Sequence, residues 1–214
     1  MLRLTEQQVT GKVNFINDYL HAQNAADGSK MDANANVTQK NIATLEAELM
    51  KDFFVQVNRK QVSNKIAELF DEDLAREYVR QIEDHEIYVH DETSLKPYCV
   101  SVTMYPFLRD GLTKLGGESQ APKHLESFCG TFVNFVFAVS SQFAGAVATV
   151  EFLTYFDYFA RKDYGDNYLA THRHEIANHL QHVVYALNQP AAARGYQSVF
   201  WNISIYDKHY FESM

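Results

Sequence analysis

Two short predicted strands in this sequence each have one polar face, and the first of them carries a cysteine. Between Tyr98 and Tyr105, apolar side chains alternate with Cys99, Ser101 and Thr103. Successive side chains of a strand point to opposite faces, so Cys99 and Ser101 lie on the polar face. An isolated cysteine is most often a small buried hydrophobe. The polar neighbours favour the other interpretation, in which this strand carries chemistry.

The second of these strands covers residues 198–205 and follows a loop of small residues. Its polar face carries Ser198, Asn202 and Ser204, and its apolar face includes Trp201. Such a loop and strand suit a ligand held between them, and Asn202 could hydrogen-bond a substrate. The alternative is an ordinary connection into a half-exposed strand, with Asn202 satisfying backbone groups at the strand end.

Charged and amide side chains near this strand could hold a phosphate or read a base edge. The loop before the strand contains one charged residue, Arg194, which is followed by Gly195 and Gln197. Arg161 and Lys162 precede another loop with flexible composition. Both sets have a structural alternative, because loop residues can brace their own loop. A basic pair at a helix C-terminus is likewise favoured by the helix dipole without any ligand.

A histidine cluster has the composition of a metal site, but its position argues against one. Glu175 and two of the histidines share one face of a predicted helix, and such ligands could hold zinc. That face lies beside the apolar stripe of the helix, so a solvated surface explains the cluster. We therefore predict no metal there. The histidines are His172, His174, His179 and His182.

Two other candidates are interpreted as structural. Cys129 lies on a predicted buried helix and is expected to be part of the core. His90 and Asp91 could form an acid–base pair by residue type, but adjacent residues of a strand point apart.

The predicted elements begin with helices and continue with strands that alternate with helices. This order fits an α/β fold, with a helical region over 1–85 and the first part of an α/β barrel over 86–214. Strands that keep a polar face suggest a barrel with a lined interior. The first predicted helix covers 5–25, the second is capped by Asn36, and the third is capped by Ser63 and extends to Ile82. Two more helices are predicted over 122–143 and around Ile176–Leu187. The other predicted strands are Ile87–Val89 and Ala144–Thr149.

The composition of the predicted strand Ala144–Thr149 and of the uncharged run around it indicates buried structure. The strand is built of small residues, which allow a backbone or a ligand to approach closely. Residues 127–150 contain no charge, but polar side chains and glycines interrupt them, so we predict a buried helix that runs into a buried strand. No signal peptide is recognisable at the N-terminus.

Composition and charge limit the classes of function. A chain of 214 residues with 46% hydrophobic and 14% aromatic residues can bury a sizeable core and is not disordered. The net charge of −8 argues against polymeric nucleic acid as a partner, although it permits single nucleotides. Two cysteines without metal-ligand spacing indicate free thiols in a reducing compartment, so we expect a cytoplasmic protein.

Four stretches of the chain, taken in order, resemble one protein family. They are Asp32–Val37 with the helix after it, Pro97–Val102, Ser140–Phe152 and Asn188–Asp207. The family they resemble is that of the anaerobic, glycyl-radical ribonucleotide reductases, in the N-terminal part of the catalytic subunit. The resemblance implies an α/β fold with N-terminal helices followed by the first part of a ten-stranded barrel.

The resemblance implies a role for the cysteine on the first strand. The family cysteine that matches Cys99 supplies a hydrogen atom to the ribose after the 2′-hydroxyl leaves as water. A thiol suits this step because its S–H bond is weak enough to exchange a hydrogen atom reversibly with a carbon radical. Ser101, Ser198 and Asn202 are then expected to contact the substrate.

The resemblance also implies an effector region. The loop that contains Arg194, Gly195 and Gln197 is expected to relay which deoxynucleotide or ATP effector is bound. Arg161 and Lys162 lie where relatives hold the phosphates of the effector.

The partners and cofactors that the resemblance implies lie mostly outside this chain. The substrates would be ribonucleoside triphosphates and the reductant formate. The enzyme would be a homodimer charged by an iron–sulfur activase that uses S-adenosylmethionine. The glycyl radical and a four-cysteine zinc site would lie on a missing C-terminal part, and no cofactor is expected to be bound covalently in this chain.

We therefore expect the chain to be a fragment of the reductase, a shortened version of it or the first half of a split enzyme. The chain by itself is expected to be inactive. A different glycyl-radical enzyme is disfavoured because the chain lacks adjacent cysteines. The alternative from another class is a non-catalytic nucleotide-binding or dimerisation module derived from the reductase.

Overall fold

The chain forms two compact units that divide between Lys96 and Pro97. The structure is a computed structural model that describes residues 4–21, 41–90, 92–116, 118–189 and 198–205. The sequence analysis placed the division after residue 85. The later boundary has a physical cause, because the side chain of Asn58 donates hydrogen bonds of 2.7 Å to the carbonyls of both Glu92 and Ser94. These bonds tie the connecting segment to the N-terminal unit.

The described part of the N-terminal unit contains three helices. A small core joins the first two helices, where Tyr19 and Leu45 are buried. The side chain of Asn41 caps the second helix by accepting a 2.8 Å hydrogen bond from the amide of Thr44. Asn36, which was predicted to cap this helix, lies outside the described residues. The helices are α1 (Glu6–His21), α2 (Ile42–Leu69) and α3 (Glu72–Glu83).

The predicted helix start at Ser63 is wrong, because α2 continues through this residue. No glycine or proline interrupts the chain there, so the helix propagates to Leu69. The next helix starts after Asp71, whose carboxylate accepts a 2.7 Å hydrogen bond from the amide of Leu74. Acidic residues in the first turn of α3 add favourable interactions with the helix dipole.

The predicted strand Ile87–Val89 is also wrong. These residues have no regular structure, and they pair with none of the described strands. The segment that follows them is held instead by side chains of α2, including Arg59, whose guanidinium contacts the carboxylate of Glu92 at 2.9 Å. A short apolar run was therefore not enough to form a strand without a neighbouring strand to pair with.

The C-terminal unit alternates strands with helices, as the sequence predicts. Pro106 lies in the first turn of α4 and favours the start of this helix, so β1 is shorter than the predicted strand. The elements are β1 (Val100–Val102), α4 (Tyr105–Asp110), a short 3-10 helix (Thr113–Leu115), α5 (Leu125–Ser140), β2 (Val147–Thr149), α6 (Phe152–Tyr164), α7 (Tyr168–Thr171), α8 (Arg173–Leu187) and β3 (Trp201–Ile203).

The three strands form one parallel sheet in which β2 is central. Val100 is in register with Val147, and Val147 is in register with Trp201. One face of the sheet packs on the helices, since Val147 and Thr149 are fully buried. The described residues thus form a mostly helical α/β unit with a small parallel sheet, and the ten-stranded barrel stays a prediction.

Aromatic side chains fill the space between the helices and the sheet. Phe128 of α5 is fully buried, and its ring centroid lies 5.0 Å from that of Phe159 and 5.8 Å from that of Phe152, both on α6. Aromatic pairs at such distances stabilise a core beyond their buried area. Cys129 is buried in the same cluster, which confirms its predicted position in the core.

The N-terminus of α5 is held by a carboxylate at the end of α6. Asp163 accepts a 2.6 Å hydrogen bond from the amide of Leu125 and contacts the imidazole of His124 at 2.9 Å. Burial opposes the ionisation of Asp163, but these hydrogen bonds prevail and lower its pKa. The contact fixes α5 relative to α6 and thereby the helical layer beneath the sheet.

No helix in the described part of the chain is both long enough and apolar enough to span a bilayer. The uncharged run over 127–150 forms most of α5, a turn and β2, as predicted.

Replacing Phe128 by alanine should remove the central ring of this core. We expect the free energy of unfolding of the C-terminal unit to fall by about 3–5 kcal/mol, because a large buried cavity is left. Urea denaturation followed by the fluorescence of Trp201 measures this change, since Trp201 is the single tryptophan of the chain and lies in this unit.

The matched control is Val184→Ala on α8, where the side chain is 58% exposed. Its free energy of unfolding should stay within about 0.5 kcal/mol of the original value. Equal losses in both variants would contradict the assignment of Phe128 to the core.

Candidate active face

Three of the residues predicted to contact the substrate or react with it lie on one exposed face of the sheet. Ser101 of β1, Ala148 of β2 and Asn202 of β3 are in register across the three strands. Residues in register project from the same face, and Ser101 and Asn202 are both exposed. Cys99 directly precedes β1, two residues before Ser101, and it is exposed too. We call this surface, with Cys99, Ser101 and Asn202, the open face.

The centre of the open face is a floor of small side chains. Ala148 of β2 lies between Ser101 of β1 and Asn202 of β3, and Ala146 directly precedes β2. Neighbouring strands are about 4.8 Å apart, so the backbones of Ser101 and Asn202 are separated by about 10 Å. A sugar ring can lie on such a floor and reach polar groups on both sides. The small residues of this strand were predicted to let another backbone or a ligand come close, and the approach of a ligand stays a prediction.

Cys99 is held against the start of β2 by an unusually close backbone approach. The amide of Ala146 donates a 3.2 Å hydrogen bond to Sγ of Cys99. A β-carbon at Gly145 would lie 2.7 Å from this sulfur and 2.8 Å from the carbonyl oxygen of Tyr98. Only a residue without a side chain fits at this position, because both contacts are shorter than van der Waals distances.

Glu151 joins the ends of two strands beside the open face. One carboxylate oxygen accepts a 2.8 Å hydrogen bond from the hydroxyl of Thr103, and the other accepts a 3.0 Å bond from the amide of Met104. Glu151 follows β2, whereas its two donors follow β1. The carboxylate therefore fixes the ends of these two strands relative to each other.

Glu151 was not predicted from the sequence, although a signal was present. Residues 127–150 contain no charge, and Glu151 ends that run. A lone carboxylate next to a buried apolar segment requires hydrogen-bond donors, because an unpaired buried charge is costly. The identity of those donors, 47 and 48 residues away, could not be read from the sequence.

Comparison with known protein families identifies the chain. Residues 46–213 match the family described as anaerobic ribonucleoside-triphosphate reductase. The chain belongs to this family. The match includes the strand segments that form the open face.

Solved structures of anaerobic ribonucleotide reductases have a similar fold. One is 29% identical to the chain with a TM-score of 0.74, and the match covers 96% of this chain and 32% of that one. The enzyme from Thermotoga maritima with citrate in the active site is 27% identical with a TM-score of 0.73, covering 96% and 35%. The same enzyme in complex with dATP and CTP is 26% identical with a TM-score of 0.71, covering 99% and 37%.

The chain therefore spans about a third of the length of these reductases. No significant match was found among curated proteins.

In this member of the reductase family, the basic pair that was predicted to hold effector phosphates makes intramolecular contacts. Arg161 contacts the carboxylates of Asp157 at 2.7 Å and Asp166 at 3.1 Å. Lys162 donates a 2.7 Å hydrogen bond to the carbonyl of Lys123, just before α5. Both side chains thus have structural partners, and their role in effector binding stays a prediction.

The remaining predicted residues lie in or next to the segment 190–197, which precedes β3. The hydroxyl of Ser198 donates a 3.3 Å hydrogen bond to the carbonyl of Asn188, so the residue after this segment is tied to the end of α8. Arg194, Gly195 and Gln197 lie outside the described residues, so their role stays a prediction.

Two histidines of the cluster make ordinary polar contacts within the chain. Nε2 of His179 lies 3.1 Å from the hydroxyl of Tyr164, and Nδ1 of His172 lies 2.9 Å from the hydroxyl of Thr171. Within the described ranges, no group of His, Cys, Asp or Glu side chains is arranged to hold a metal ion. His90 is exposed, and its neighbour Asp91 lies outside those ranges.

Replacing Gly145 by alanine should push β1 and β2 apart. We expect a loss of about 1–3 kcal/mol in the free energy of unfolding, because the added methyl group meets both a sulfur and a backbone carbonyl. Gly130→Ala in α5 is the matched control, since nothing lies within 4 Å of the added carbon. That variant should gain about 0.5–1 kcal/mol from a better helix former. Equal effects in urea denaturation would contradict the close approach at Gly145.

The two cysteines should differ sharply in reactivity. Cys99 is exposed, whereas burial raises the pKa of the Cys129 thiol to about 12. At neutral pH, iodoacetamide should modify Cys99 in the native chain and modify Cys129 only after denaturation. Mass spectrometry of digested peptides identifies the modified residue, and Cys99→Ser should abolish native labelling. Labelling of Cys129 in the native chain would contradict its burial.

Proposed function

We propose that this chain is the N-terminal part of the catalytic subunit of an anaerobic ribonucleoside-triphosphate reductase. The observation that carries the proposal is the open face, where Cys99 and Ser101 are separated from Asn202 by a floor of alanines. A few polar side chains placed around an apolar surface are typical of small-molecule sites. The substrate would be a ribonucleoside triphosphate whose ribose lies on the floor.

In this proposal, Cys99 is the residue that donates a hydrogen atom. After the 2′-hydroxyl of the ribose has left as water, Sγ of Cys99 gives its hydrogen atom to the sugar. The amide of Ala146 donates to the sulfur, so the S–H hydrogen is not needed for that contact and can point toward a bound ribose. Ser101 and Asn202 hydrogen-bond the ribose from opposite sides, and Ser198 supports the substrate at the base of the loop.

In this proposal, the other groups that the reaction needs lie on a C-terminal part of the enzyme. A glycyl radical would provide the initiating radical, and a four-cysteine zinc site would stabilise the region that holds it. The two cysteines of this chain cannot form such a zinc site, since one is exposed and the other is part of the core. Formate is the proposed reductant. One ribonucleotide, one formate and one proton then give one deoxyribonucleotide, one water and one carbon dioxide.

The effector part of the proposal concerns both the loop before β3 and the basic pair of α6. In the Thermotoga enzyme, dATP and CTP are bound together. We propose that a deoxynucleotide or ATP effector acts here through Arg194, Gly195 and Gln197. Phosphate binding by Arg161 requires displacement of Asp166, whose side chain is 86% exposed. Such an exposed ion pair contributes only about 0–1 kcal/mol, so a phosphate can replace it.

The proposed assembly is a homodimer in the cytoplasm, charged by an iron–sulfur activase with S-adenosylmethionine. The exposed apolar side chains of Leu169 on α7 and Tyr185 on α8 are compatible with a subunit contact.

The test is turnover by the complete enzyme with single cysteine substitutions. The chain is combined with its C-terminal part, activated without oxygen, and assayed for reduction of CTP with formate. Cys99→Ser should lower turnover by more than about a thousandfold, because a hydroxyl does not readily donate a hydrogen atom. Electron paramagnetic resonance should show that the glycyl radical still forms. Cys129→Ala is the matched control and should keep most of the turnover.

Turnover that survives Cys99→Ser would overturn the assignment of the hydrogen donor. If no C-terminal part restores turnover while dATP and CTP still bind, the non-catalytic nucleotide-binding module becomes the better description.

A further inference from the structure

A partly buried hydrogen bond lies directly beneath the open face. The indole Nε1–H of Trp201 in β3 donates to the hydroxyl oxygen of Thr149 in β2 at 2.8 Å. Thr149 is fully buried, whereas Asn202, the next residue after Trp201, is exposed on the opposite face. The bond therefore joins two strands from the core side at the level where Asn202 projects.

The indole ring is held in place by aromatic neighbours. Its centroid lies 5.3 Å from the ring of Phe132 at 62°, and 4.8 Å from the ring of Phe152 at 85°. These edge-to-face contacts restrict the ring on two sides. Both phenylalanines are almost completely buried, so the indole cannot rotate without disturbing the core.

The hydrogen bond between Trp201 and Thr149 favours the observed register of β3 against β2. The described ladders are three residues long, which specifies register weakly. A slip of β3 by one residue would exchange its faces, turning Asn202 toward the core and Trp201 toward the open face. In the slipped register Trp201 and Thr149 would lie on opposite faces and could not form their hydrogen bond, so this bond favours the observed register.

We propose that Thr149 and Trp201 are positioning residues for the open face: their hydrogen bond determines where Asn202 projects. The proposal rests on the proposed function only for the statement that Asn202 meets a substrate. Neither Thr149 nor Trp201 would contact the substrate, because both side chains lie on the opposite side of the sheet.

Nuclear magnetic resonance of the ¹⁵N-labelled chain tests this proposal. Trp201 is the single tryptophan, so the spectrum contains one indole N–H signal. The side-chain amide signals of Asn202 are identified by their absence in Asn202→Asp. These two signals report the hydrogen bond and the position of Asn202 separately.

Two substitutions of Thr149 separate the hydrogen bond from side-chain volume. Thr149→Val keeps the volume and removes the acceptor, so the indole signal should shift and exchange with solvent about tenfold faster. The Asn202 signals should shift with it. Thr149→Ser keeps the hydroxyl, and both sets of signals should stay close to their original positions.

A variant on the other side of the bond keeps the test independent of Thr149. Trp201→Phe retains an aromatic ring but lacks the donor, and it should shift the Asn202 signals as Thr149→Val does. The double variant should shift them no further than either single variant, because both remove the same bond.

Three results would overturn the proposal. The first is that Thr149→Val shifts the indole signal but leaves the Asn202 signals unchanged. The second is that Thr149→Ser behaves like Thr149→Val, and the third is that the two single effects add. Addition of CTP tests the proposed function separately. An absence of CTP-induced shifts at Asn202 in the original chain would refute its substrate role and leave the comparison of variants valid.

Discussion

A small parallel sheet can leave one face free only when its other face is held firmly. Here the hold is provided by the aromatic rings of α5 and α6, which pack under Val147, Thr149 and Trp201. The rings supply the apolar area that three-residue ladders cannot supply themselves. The residues of the open face can consequently be small and polar, because the apolar area is buried on the opposite face. One face of the sheet thus stabilises the fold, and the other carries the polar residues of the candidate active face.

Which side chains lie on each face could largely be predicted from the sequence, since strand alternation has a period of two residues. Cys99, Ser101 and Asn202 were correctly placed on polar faces, and the small central strand was recognised by its composition. The errors at Ser63 and Ile87–Val89 concern local signals that the rest of the fold overrode. A capping residue begins a helix only where the preceding helix has ended, and a short apolar run forms a strand only beside another strand.

The contacts that assemble the site could not be predicted from local patterns. The order of the strands brings Cys99 and Asn202 to one surface, yet no periodicity in the sequence specifies that order. The closeness of Gly145 to the sulfur, and the bonds from Glu151 to the end of β1, join residues more than 40 positions apart. The family resemblance supplied the expectation that these segments belong together, whereas the geometry shows how they meet.

The central position of β2 determines where the described sheet could grow. β1 and β3 are the outer strands of that sheet, and outer strands offer backbone groups to further strands. Adjacent strands rotate by about 20–25° relative to one another, so each added strand would add to the twist of the sheet. In the proposed barrel, such additions would make the face that carries Cys99 a wall of an enclosed interior. That interior would keep solvent away from the radical intermediates of the proposed reaction.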